Sequence, residues 1–102
     1  MDKEIAGMIV AVNDEGYLTN LEQWTKEIGE AIAGEENIAM TEQHWKVIEF
    51  LQHAHRNSEA LSIRSLGKHG PVSIKEFYVL FPGGPLKKAS RIAGIPKPAS
   101  CV

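Results

Sequence analysis

Met8-Ile9-Val10-Ala11-Val12 is a short apolar, partly β-branched run, and Asn13-Asp14-Glu15-Gly16 supplies turn chemistry before Tyr17 and Leu18. This pattern predicts a small N-terminal β-hairpin. Asn20 is a helix-capping residue, and Leu21, Trp24, Ile28, Ala31 and Ile32 then recur at three- and four-residue spacing, which predicts a helix ending near Gly34. Thr41 caps a second predicted helix, on which His44, Trp45, Val47, Ile48, Leu51, Ala54 and His55 make a wide inward stripe. That width suits a central helix.

The second half reads as three shorter helices. One starts at Ser58 or just after it, runs through Leu61, Ile63 and Leu66, and is terminated by Gly67 and Gly70-Pro71. Ser73-Ile74-Lys75-Glu76 has the capping-box pattern and places Ile74, Phe77, Tyr78 and Phe81 on one helical face up to Pro82. After Gly83-Gly84, Pro85 suits a first helical turn, and Leu86, Ala89, Ser90 and Ala93 share a face until Gly94 caps the end. The fold class is therefore mainly α: a small helical bundle with an N-terminal hairpin over residues 1–94. Residues 95–102 differ. Pro96 and Pro98 remove backbone donors and bias this stretch toward extended geometry, so it reads as a mobile arm carrying Cys101. At about 3.3 Å per residue, its steps from Gly94 place Cys101 up to about 23 Å from the last helix.

A chain of 102 residues holds one modest core, with an expected radius of gyration of about 13 Å. Its apolar and charged fractions are ordinary, which excludes a disordered or collagen-like chain. No apolar run approaches membrane-helix length and the first residues lack a signal-peptide pattern, so the expected location is the cytoplasm. Charge changes the picture more. Residues 1–50 carry eleven acids against three lysines, whereas residues 51–102 carry eight bases against Glu59 and Glu76 alone. Either these are solvated faces, or the basic end is steered toward an anionic partner.

The single cysteine forbids an intramolecular disulfide or a multi-cysteine metal site within one chain. A lone cysteine is usually a small buried hydrophobe, but the penultimate position behind two prolines argues for an exposed, functional thiol. The α-carboxylate of Val102 works to raise its pKa; Lys97 and the Lys87, Lys88, Arg91 cluster lower it if the arm folds back. No base stands beside it in sequence, so delivery suits it better than turnover. His53 and His55 are two apart and do not share a helical face, so no metal is expected. Gly83-Gly84 lacks the Lys-Ser/Thr continuation of a phosphate loop. The helix, turn and helix from Ala60 to Phe81 could present Arg64, Lys68 and Lys75 to DNA phosphates, but its aromatic stripe reads first as core.

The block from Phe81 to Val102, with Gly94-Ile95-Pro96-Lys97-Pro98 leading to Cys101-Val102, resembles the ending of the DsrC/TusE family of sulfur-relay proteins. Asp14-Glu15-Gly16-Tyr17-Leu18 followed by Trp24, and Thr41-Glu42-Gln43-His44-Trp45, resemble that family's hairpin and central helix. The resemblance implies a cytoplasmic carrier, at most a sulfurtransferase, that holds persulfide sulfur on the penultimate Cys101 and uses no cofactor. Implied partners are a TusBCD- or DsrEFH-like donor and a tRNA thiolase or sulfite-reductase-like acceptor. Arg64 matches the family's helix arginine near the tail, and Lys97, Arg91, Lys87 and Lys88 would orient the arm or dock partners. Relatives of the DsrC kind carry a second cysteine eleven positions before the penultimate one; Ser90 stands there, which favours single-cysteine relay of the TusE kind. The stretch from Gly67 to Glu76 is shorter than in typical members. The alternative is a DsrC-like partner of dissimilatory sulfite reductase, or a regulatory or DNA-binding module without sulfur transfer.

Overall fold

Two antiparallel strands, β1 (Asp2–Ile5) and β2 (Met8–Ala11), open the computed structural model, which describes residues 1–98. The expected hairpin is present, but its partner strand lies upstream of Met8, not downstream. Ile5 faces Met8 in the register, and Ala6 and Gly7 make the turn with φ of 52° and 80°, the left-handed pair that matches the twist of a two-residue hairpin. β1 buries only Ile5, so no apolar alternation marks it. The Asn13–Gly16 turn instead leads back to one bridge between Val12 and Leu18.

Five helices follow: α1 (Lys26–Glu35), α2 (Glu42–Arg56), α3 (Ile63–His69), α4 (Ile74–Leu80) and α5 (Pro85–Ala93). Asn20 does not cap α1. Its side chain accepts the Glu22 N–H and starts a single 3-10 turn, Leu21–Gln23; Thr25 caps α1 by accepting the Ile28 N–H. α1 ends at Glu35, near Gly34 as expected, and Asn37 at φ 59° closes it, with the Ile38 N–H donating to Ala33 O and the Asn37 N–H to Gly34 O. Ser58, expected near a helix start, ends α2 by the same device at φ 55°, and Ser62 caps α3. Gly67 lies inside α3. A Cβ there would overlap Ile74, so this glycine lets α3 and α4 approach instead of ending a helix.

α5 packs against both α1 and α2. Ile28, Ile32, Val47, Leu51, Phe77, Phe81, Leu86 and Ile92 are fully buried around it. The α4 stripe is narrower than its periodicity suggests: Phe77 and Phe81 are core, while Ile74 and Tyr78 remain 43% and 46% exposed. On α2, His55 is exposed and Gln52 is buried in its place. His44 closes the start of that helix. Its Nδ1 accepts the Thr41 N–H at 3.0 Å, which leaves Nε2 to donate to Leu80 O at 2.8 Å. The radius of gyration is 12.5 Å, and no described helix is long and apolar enough to cross a membrane.

Candidate functional site

The site that the sequence points to is the route from α5 into the C-terminal segment. α5 ends on Gly94 at φ 75°, with the Gly94 N–H donating to Arg91 O and the Ile95 N–H to Ser90 O. Two side chains from elsewhere in the chain, one just after the 3-10 turn and one on α2, take the remaining carbonyls: Trp24 Nε1 donates to Ile92 O and Gln52 Nε2 to Ala93 O, both at 2.7 Å. These bonds satisfy acceptors that a helix end otherwise leaves open inside the core. Neither residue was legible as a tail anchor: Trp24 was read as part of a helical core face but follows the 3-10 turn in extended backbone, and Gln52 lay outside the apolar stripe predicted for α2.

The segment beyond Gly94 begins packed. Ile95 is fully buried and Pro98 is buried, while Pro96 and Lys97 face outward. From Pro98 the covalent reach to Cys101 is about 10 Å, less than half the span measured from Gly94. Cys101 itself, with Ala99, Ser100 and Val102, lies outside the described residues. Lys97 Nζ donates to Glu15 Oε2 at 2.9 Å. The hydrogen bond from Lys97 and its charge, together with that of Lys87, hold the Glu15 carboxyl below its usual range against a smaller opposing effect of desolvation.

The basic residues of α5 meet the acidic first half of the chain. Arg91 donates to Glu35 at 2.6 Å and to Glu36 at 3.2 Å, and its Nε reaches Gly16 O at 3.4 Å. Lys88 donates to Pro82 O. Lys87 is exposed and has its backbone carbonyl fixed by Tyr17 Oη. Lys87, Lys88 and Arg91 line a cleft of about 340 Å³ with Glu15, Tyr17 and Glu36. The structure thus brings Lys87, Lys88, Arg91 and Lys97 to one side of the molecule, and sequence reasoning missed Glu15, Glu35 and Glu36 as their partners. Arg64 is exposed on α3 and lines none of the clefts beside α5 or the tail. No group of metal-ligating side chains is present among the described residues.

Burial works to raise the Glu35 carboxyl, but the hydrogen bond and charge of Arg91, with Lys3, outweigh it and leave the group below its usual 4.5. A carboxyl depressed on folding adds stability above its unfolded pKa and loses it as pH falls through the folded value. The urea midpoint is therefore expected to hold near neutrality and to fall below about pH 4.5, and Glu35→Gln is expected to flatten part of that fall.

Ser90 is fully buried on α5, and its Oγ finds no hydrogen-bond partner among the described residues. A desolvated, unpaired hydroxyl costs about 1–3 kcal/mol, and alanine is the better helix former. Ser90→Ala is expected to raise stability by about 1 kcal/mol, seen as a higher urea midpoint with an unchanged slope.

Residues 4–102 match the model of the DsrC-like protein family. The chain is 35% identical over 107 residues to Sulfurtransferase TusE of Pectobacterium atrosepticum, covering 97% of this chain and 98% of that one. It is 40% identical over 98 residues to Sulfurtransferase TusE of Buchnera aphidicola, covering 88% and 86%. The NMR structure of Allochromatium vinosum DsrC superposes with a TM-score of 0.81 at 38% identity over the whole of both chains. The crystal structure of the oxidized gamma-subunit of the dissimilatory sulfite reductase (DsrC) from Archaeoglobus fulgidus gives 0.78 at 32% identity, again over the whole of both.

Proposed function

As this chain belongs to the DsrC-like protein family, we propose that it is a sulfur carrier of the TusE kind that loads and unloads sulfur at Cys101. The reading is carried by one observation: a chain similar over nearly its full length to TusE sulfurtransferases has a single sulfur nucleophile, at its penultimate position. The Cys101 thiolate attacks the outer sulfur of a donor persulfide. A new sulfur–sulfur bond forms at Cys101, the donor's own bond breaks, and the donor cysteine leaves as thiolate, so Cys101 ends as a persulfide with no change in oxidation balance. An acceptor thiolate repeats the exchange and releases Cys101. Lys97 and the Lys87, Lys88, Arg91 side of α5 would orient the tail and meet partners, with Arg64 on a separate face.

The donor would be a TusBCD- or DsrEFH-like complex in the cytoplasm. Ser90 favours a tRNA thiolase as acceptor over a sulfite-reductase-like complex: it is buried and carries no thiol, so no second sulfur stands at that position to close an intramolecular disulfide with Cys101. Incubation with a persulfide-bearing donor, followed by mass spectrometry of the C-terminal peptide, is expected to show the mass of one added sulfur atom, removed again by a reductant. A tail that stays unmodified with several competent donors would overturn the carrier reading.

A further inference from the structure

Folding answers much of the basic charge of α5 and the segment after it: Arg91 is taken by Glu35 and Glu36, Lys97 by Glu15, and Lys88 by Pro82 O. Lys46, Arg56 and His69 are different. Each is exposed and makes no ion pair among the described residues, and all three line one open cleft of about 630 Å³ between the outer face of α2 and the turn that follows α3. Lys46, Glu49, Phe50, His53 and Arg56 recur at three- and four-residue spacing, so they form one stripe along α2. Its two outer cations stand about 15 Å apart along the helix axis. Phe50, between them, is half-buried, and Glu49 beside it is also without an ion pair among the described residues.

Cations at both ends of a stripe call for an anionic partner, and Glu49 sets its class. A run of phosphates carries no group to answer a carboxylate in the middle of the cleft. An acidic polypeptide segment does: it can set carboxylates against Lys46 and Arg56, a lysine or arginine against Glu49, and an apolar side chain on Phe50. We propose that this cleft docks an acidic, amphipathic helical segment of a protein with which Cys101 exchanges sulfur. The identity of that partner rests on the carrier reading; the docking does not. The place suits the task. Gln52, which also lines the cleft, donates to Ala93 O at the end of α5, and Pro98 lines a neighbouring groove with His55 and Glu59 at the end of α2. A segment seated on the stripe therefore sits beside the root of the C-terminal segment, and the docking contact is made by side chains other than the thiol.

The probe is a 15-residue helical peptide with two glutamates ten residues apart on one face and a lysine and a leucine between them. Titrated into the full chain at low salt, it is expected to shift the backbone amide NMR signals of residues 46–56 and 69–71. Lys46→Glu with Arg56→Glu is expected to weaken binding about tenfold or more, and the same peptide with its glutamates replaced by lysines is expected to bind that doubly substituted protein better than the original peptide does. A loss of folding would not produce this exchange of preference. At subsaturating partner, the double variant is expected to exchange sulfur about fivefold more slowly with at least one of the two protein partners, donor complex or acceptor thiolase. Equal binding of a peptide with glutamines in place of the glutamates, shifts scattered away from α2, tighter binding of a 15-nucleotide single-stranded RNA in the same cleft, or unchanged exchange with both partners would overturn the proposal. Unsubstituted protein that binds the peptide as described but takes up no sulfur from any donor would sink the carrier reading and leave the docking site standing.

Discussion

Cys101→Ser is expected to abolish sulfur uptake completely, with no residual loading from another position. The chain has one cysteine, and a serine hydroxyl neither ionises near neutral pH nor forms a persulfide by thiol exchange, so no slower route replaces the lost one. Among the described residues the buried core runs from Ile5 to Ile95, and serine differs from cysteine by one atom of similar size. Stability is therefore expected to stay within about 0.5 kcal/mol of the unsubstituted protein, as for substitutions outside packed or capped positions. Intact-protein mass spectrometry after donor treatment, paired with urea unfolding, separates the two effects. Sulfur on the serine variant would mean that the acceptor atom is elsewhere; a large loss of stability would mean that the thiol has a packing role.

How far this outcome could be foreseen from residues alone follows from where each signal is written. The helix starts at Thr41 and Ser73 and the α5 boundaries at Pro85 and Gly94 were legible because each rests on one or two neighbouring side chains. α1 also ends within one residue of the expected Gly34, but the devices that end α1 and α2 were not legible, because Asn37 and Ser58 adopt left-handed geometry without the glycine that usually announces it. β1 escaped for a related reason: three of its four residues are charged or carry their polar ends outward, and its pairing is set by the Ala6-Gly7 turn. The site shows the same division. The basic residues Lys87, Lys88, Arg91 and Lys97 could be named in advance, as could the family they belong to, from motif spacing near Cys101. Their partners Glu15, Glu35 and Glu36 are separated from them by 55 to 82 residues, and only the folded chain shows that the acidic half neutralises the basic one. The basic end thus docks first on the protein itself, which reduces its long-range pull on anions and leaves exposed Lys87 as its most available charge.

Gly94→Ala is expected to be the most damaging single-methyl change on this route, costing about 3–4 kcal/mol. Two costs combine. The backbone at φ 75° disfavours any residue with a Cβ by about 1–2 kcal/mol, and the added carbon would lie 2.6 Å from Trp24 Cδ1 and 3.0 Å from Cγ. The indole must move, and its Nε1 bond to Ile92 O goes with it, leaving a buried carbonyl unpaired. Gly84 supplies the control. Its φ is 85°, nearly the same, but a Cβ there meets nothing within 4 Å, so Gly84→Ala bears the backbone cost alone. The difference between the two variants in urea unfolding measures what the Trp24 contact contributes. It is expected to be about 2 kcal/mol, accompanied by a shift in tryptophan emission for Gly94→Ala only. Because Ile95 follows directly, loosening this cap also frees the residue that anchors the tail, so sulfur transfer should fall under conditions where Gly94→Ala is still folded. Equal destabilisation by the two alanines would show that the indole does not brace the end of α5.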